Sequence, residues 1–370
     1  MFSLGESGLS IIRNIAPVAP DAVLAKIEME LSGSRGMQIL AVSNPDRWRW
    51  IALLKSLAYE GAMFRRATIA LARFVAVEPP GHNSYSAAAP FKELFHLYLS
   101  GTCATPQERQ DIIRAFFNST DVGSHRVGAL ALDALLQTGH FSAGSNFDFG
   151  ARPRDYGWVP RVNGDIWNWY KEATALAIAL VDRFEDAKLI IARNIRGLWR
   201  FAACREALEQ ASVVFANNGG WPEGWLSFRA ARRFDGQKMP SDIRTRLETI
   251  IEILKPIDLL DRARLLVVSQ NSAGYDIADG DETDDPSAAW HKALQSAVDV
   301  GKAMAGDRSL LKSFLPEVIA KNPPQRAFEF GRGLAQDAVN PSEMWSDLVS
   351  AFNQSSPHER NPTVLGGFIS

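Results

Sequence analysis

Residues 106–136 read PQERQDIIRAFFNSTDVGSHRVGALALDALL, two amphipathic runs with a polar break between them. Thr105-Pro106 marks a helix start, because proline lacks only an N–H that the first turn leaves unused. Ile112, Ile113, Phe116 and Phe117 then recur at helical period. After the break NSTD, Val127, Leu130, Ala131 and Leu135 do so again. So short a connection makes the two helices antiparallel neighbours, and the run is predicted to be one helical hairpin. Residues 323–352, PPQRAFEFGRGLAQDAVNPSEMWSDLVSAF, are built alike, with Asn340-Pro341-Ser342-Glu343 as the second start. Units of roughly 30 to 45 residues fall in the HEAT and TPR range.

The same periodicity extends over 48–76, 91–99, 163–183, 186–200, 202–216, 241–254, 257–268, 287–305 and 308–320. Strand-like alternation is almost absent, so the chain is predicted to be all-α. The units share no consensus, which favours an irregular α-solenoid of stacked helical hairpins, HEAT/TPR-like. A helical bundle and an (α/α) toroid remain open. The expected organisation is a helical-repeat array over 1–275 with inserted loops at 140–162 and 217–239. An acidic loop at 276–286 follows, and the array continues over 287–370. An apolar helix (Leu9, Ile11, Ile12, Ile15) opens the chain almost at once. A short helix after Pro362 closes it, with Val364, Leu365, Phe368 and Ile369 having nothing after them to pack on. The chain therefore reads as a piece of a longer helical protein.

At 370 residues and 46% hydrophobic, the chain can bury a large core. A formal net charge of −2 supplies no global field for nucleic acid or anionic membrane. Cys103 and Cys204 form neither a disulfide framework nor a metal pattern, and fit a reducing cytoplasm. No apolar run reaches membrane-spanning length, and the N-terminus lacks a signal-peptide pattern.

Catalytic signatures are missing. Gly331-Arg332-Gly333 and Gly33-Ser34-Arg35-Gly36 lack the Gly-Lys-Ser/Thr ending of a phosphate-binding loop. No His-Glu-x-x-His, Gly-x-Ser-x-Gly or Cys-x-x-Cys occurs, and the histidines show no ligand spacing. His96, beside Phe95 and Tyr98 on a predicted helix, reads as a satisfied core or surface histidine. Asp279, Asp281, Thr283 and Asp285 occupy alternate positions of a calcium-loop register, but Asp284 replaces its glycine and Trp290 its closing glutamate. No metal and no cofactor are expected.

Two stretches concentrate arginine and aromatics, the residues of interaction hot spots. The first holds Arg152, Arg154, Tyr156 and Trp158, with Phe147, Phe149, Asp155 and Arg161 around them. The second holds Trp221, Trp225, Arg229, Arg232 and Arg233, with Glu223 and Asp235. Each reads either as a binding site or as a plug, the plug pairing Arg154 with Asp148 or Asp155. Carboxylates for glycoside hydrolysis could be drawn from Asp148, Asp155 and Glu223, but their separation is not fixed by sequence.

The phrases LFHLYLSGT (94–102), FDFGARPRDYGWVP (147–160), GGWPEGWLSFRAARRFD (219–235), FGRGLA (330–335) and VLGGF (364–368) are distinctive in wording. With the acidic run before Pro286, they resemble the C-terminal helical sensor region of bacterial STAND-type NTPases, many linked to antiphage defence. The resemblance spans about residue 9 to the end. It implies a helical array that senses a trigger and restrains an effector-bearing ATPase, and both those domains are missing here. It carries over no catalytic residue.

The expectation is a non-catalytic, cytoplasmic helical-repeat sensor or scaffold. It would bind a protein partner or other trigger and regulate an NTPase/effector domain of the same or another chain. One alternative is an (α/α) toroid enzyme acting on carbohydrate or isoprenoid. The other is a helical-repeat nucleic-acid binder using Arg193, Arg196, Arg200 and Arg205, against which the near-neutral charge argues.

Overall fold

The computed structural model describes residues 6–79, 86–143, 149–150, 154–184, 186–268, 286–320, 325–358 and 360–370. Among them no strand occurs. The β-type pairings are two isolated bridges, Thr102 with Gly157 and Ala320 with Arg360. The chain is all-α and divides into two compact units, Met1–Leu208 and Glu209–Ser370. The division falls inside a continuous helix, not at the acidic run.

The first unit contains α1 (Glu6–Ile15), α2 (Pro20–Ser32), α3 (Gly36–Leu40), α4 (Arg47–Leu57), α5 (Gly61–Ala76) and α6 (Ala88–Glu93). It continues through α7 (Pro106–Asn118), α8 (Val122–Leu136), α9 (Asn163–Leu180), α10 (Asp186–Leu198) and the first half of α11 (Ala202–Asn217). The 106–136 hairpin forms as read. Thr105 and Glu108 close a reciprocal cap at the start of α7, with Thr105 N–H donating to Glu108 Oε2 at 2.7 Å. Asp121 accepts from Ser124 N–H at 2.9 Å to start α8. Helix α8 touches α5, α6, α7, α9 and α10, so its buried face (Val127, Ala131, Leu135) is the core of this unit.

The second unit begins with the rest of α11. Its end is a glycine cap: Gly219 takes φ +90°, and Gly220 N–H returns to Phe215 O at 2.9 Å. Then come α12 (Pro222–Asp235), a 3₁₀ turn (Gly236–Lys238), α13 (Ser241–Leu254) and α14 (Leu259–Ala263), which runs into a π-helical turn, Arg264–Val268. After the undescribed residues come α15 (Pro286–Ala305), α16 (Arg308–Ile319), α17 (Ala327–Asp337), α18 (Pro341–Gln354) and α19 (Thr363–Phe368). Helix α17 lies between α15 and α19 and meets both through glycine. A methyl on Gly333 would come within 2.0 Å of Val298 O, one on Gly301 within 2.3 Å of Phe330 O, and one on Gly331 within 2.3 Å of Val364 O. Helix α19 therefore has a surface to pack on: α17, reached backwards in sequence. Val364 is buried, and Phe368 stacks on Trp345 at 6.0 Å.

Two expectations change here. Residues 217–239, read as an inserted loop, are mostly helix α12. The glycine cap of α11 and Pro222 at the first helical turn supply the break, and Trp225, Leu226 and Phe228 form a buried face. The 91–99 helix stops at Glu93. Leu99 adopts φ +58°, and His96 sits in the turn beyond, buried. The acidic run 276–285, Arg152 and Asp148 lie outside the described residues.

Candidate functional site

Residues 154–162 are held to the first unit from beneath. Gly157 takes φ +82° and lies against Thr102, where a methyl would approach Thr102 O to 2.2 Å. Gly101 N–H donates to Tyr156 O at 3.0 Å, and Trp158 N–H to Thr102 O at 2.7 Å. The Arg154 side chain is buried. It donates to Ser56 O at 2.7 Å, and its guanidinium lies 4.4 Å from the Tyr59 ring and 4.2 Å from that of Phe149. Among the described residues its carboxylate neighbour is Glu60, at 3.6 Å, rather than Asp155. Asp155 instead accepts from Gly157 N–H and Tyr59 O–H, both at 2.8 Å. Those two bonds, the Gly157 amide first, hold its carboxyl below the usual range, so Asp155 is a fixed anion and no acid catalyst at neutral pH.

Trp158 stacks on Trp169 of α9, ring centroids 5.6 Å apart. The guanidinium of Arg109, from α7, lies 5.8 Å from the Trp158 ring and 5.2 Å from that of Trp169. Arg109 is fully buried, and burial lowers its pKa to about 9, which still leaves it charged at neutral pH. It donates to Ala104 O at 3.1 Å, His96 O at 2.6 Å and Ser100 Oγ at 3.2 Å. Arg154 and Trp158 are thus built into the packing. Around them this segment exposes apolar side chains beside the charged Asp155 and Arg161: Tyr156 54%, Val159 41%, Val162 63%, and Trp167 on α9 55%.

The second group lies on α12. Trp221 and Trp225 are buried. Trp221 meets Phe215 and Phe228 edge-on, at 5.1 and 6.1 Å. Arg229 is buried with its guanidinium 4.5 Å from the Trp225 ring, while Arg232 and Arg233 are half-buried in the last turn, where cations suit the helix dipole. The two arginine-aromatic groups belong to different units. Of the arginine stripe, Arg205 turns back to cap α10, donating to Trp199 O at 3.0 Å.

Trp225 also lines a cleft of about 420 Å³ with Lys255, Ile257, Arg262, Leu265 and Leu266. An adjoining cleft of about 300 Å³ shares Lys255 and Ile257 and reaches Trp221 and Asp261. Sequence reading singled out Trp221 and Trp225 but passed over Lys255, Ile257, Arg262, Leu265 and Leu266, because 257–268 carries a plain helical period. Ile257 is 91% exposed, which the sequence does not signal.

Among the described residues no His, Cys, Asp and Glu side chains gather as a metal site, and no helix is long and apolar enough to cross a membrane. In comparisons with known proteins, no family model, no curated protein and no solved structure matches this chain.

Proposed function

We propose that the chain is a non-catalytic helical-repeat scaffold, an irregular solenoid of stacked hairpins, that recognises a protein partner through residues 154–162 and the start of α9. The observation that carries this reading is the two-sided build of that segment. Arg154, Trp158 and the Thr102–Gly157 bridge fix it from beneath, while Tyr156, Val159, Val162 and Trp167 face solvent. A rigid support under exposed aromatics is how interaction hot spots are built, because little ordering entropy remains to be lost on binding. Contacts between elements close in sequence, such as α2 with α5 and α5 with α8, support the stacked-hairpin arrangement.

In the sensor reading the partner is a trigger protein or an NTPase/effector domain, whose assembly the scaffold restrains by favouring one arrangement. The test measures ATP turnover by that domain with and without this chain, and again with Tyr156→Ala plus Trp167→Ala. The expected result is lowered turnover that the double variant restores. Equal turnover in all three, or ATP turnover by this chain alone, overturns the reading.

A further inference from the structure

The cleft in the second unit has features that helix packing does not use. Its charged lining residues, Lys255 and Arg262, are both cationic. Among the described residues Arg262 forms no salt bridge, and Lys255 reaches a carboxylate only at 4.0 Å, that of exposed Glu252. The rest of the lining is largely apolar. Ile257 stands 91% exposed, and Leu265 and Leu266 come from the π-helical turn. Such turns displace side chains from α-helical register and recur at functional sites. Trp225 supplies the independent observation. It is 95% buried, taking its 5% exposure, and its indole N–H, itself buried, has no acceptor among the described residues. A buried donor left unsatisfied costs free energy, and tryptophan N–H groups in proteins usually find a partner. The nearby carboxylate Asp261 lines the adjoining cleft and stands 3.7 Å from Arg264, so it does not neutralise this one.

We propose that this cleft binds a small amphipathic anion: a phosphate or carboxylate head held by Lys255 and Arg262, an apolar body against Ile257, Leu265 and Leu266, and an acceptor for the Trp225 N–H. The volume lies in the range of small-molecule sites. This assignment does not depend on the partner-binding reading, which concerns the other unit.

Isothermal titration of the whole chain tests it, with octyl phosphate, octanoate, octanol and inorganic phosphate as probes. Octyl phosphate or octanoate is expected to saturate one site, and which of the two binds tighter tells a phosphate head from a carboxylate. Octanol lacks the charge and inorganic phosphate lacks the body, so both should bind at least about tenfold more weakly. Lys255→Glu with Arg262→Glu changes two exposed side chains, so the fold should persist, as near-ultraviolet circular dichroism would check. That double variant should weaken the amphiphile by at least about tenfold. Trp225→Phe keeps the ring and removes the N–H, and should weaken it by about fivefold. No saturable binding of either amphiphile overturns the proposal. So does octanol binding as tightly as octyl phosphate, or unchanged affinity in the charge-reversed variant.

Discussion

Arg109 brings a positive charge into the core of the first unit without an ion pair among the described residues. Backbone carbonyls, Ser100 Oγ and two indole rings take the place of a counter-ion. Arg109→Met keeps bulk but leaves those buried acceptors unpaired. It is expected to cost about 3 kcal/mol in chemical denaturation. His96, whose carbonyl Arg109 holds, offers a pH test. Burial first, and then the charges of Lys92, Arg109 and Lys55, lower its pKa from 6.5 to about 4. Between those values the unfolded chain binds a proton that the folded chain refuses, so stability falls as pH drops from about 6.5 to about 4. The full loss is about 3 kcal/mol. His96→Leu should lack this component when the two stability curves are subtracted; parallel curves would remove His96 as its cause. Neither role was legible in sequence. Arg109 sits in the polar run PQERQ, and the two rings that cover its guanidinium, Trp158 and Trp169, come from a distant part of the chain. His96 read as a satisfied core or surface histidine, and the structure buries it.

At the level of elements, the sequence reading was most accurate where apolar period and caps agreed. Helices α7, α8, α13 and α15 begin and end within a few residues of expectation. It failed at α12 because Trp225 and Arg229 share its inward face with Leu226 and Phe228, and a residue count by polarity sees a loop there. Trp221→Ala tests that face. With the indole 1% exposed against Phe215 and Phe228, the loss should be about 3–5 kcal/mol, read as a large drop in melting temperature. An unchanged melting temperature would mean that α12 is held by something other than this cluster. The distinctive phrases also acquire a physical meaning here. LFHLYLSGT and FDFGARPRDYGWVP meet at the Thr102–Gly157 bridge, and FGRGLA meets VLGGF where Gly331 lies against Val364. Wording that carries no catalytic pattern still encodes pairs of surfaces that touch.

For the whole molecule, the expectation of an all-α chain holds, while the boundary between its compact units could not be read. Helix α11 runs across it with unbroken period, and no loop or change of composition marks the place. Each unit buries its own core, so lesions should register separately. Arg109→Met should lower the stability of the first unit and Gly333→Ala that of the second. Hydrogen exchange of amides in α8 and α17 would then respond each to one substitution only. If both substitutions accelerate both helices equally, the chain unfolds as a single cooperative block. The glycine contacts of α17 have one more consequence, for how this chain can vary. Gly366 and Gly367 are neighbours in one dipeptide, yet a methyl on the first meets nothing within 4 Å, while on the second it would strike Phe328 O at 2.0 Å. In a library randomising both positions and selected for folded protein, position 366 should return a broad spread of residues and position 367 almost only glycine. Two identical letters side by side thus carry unequal information, one a spacer and the other a key cut to fit a carbonyl.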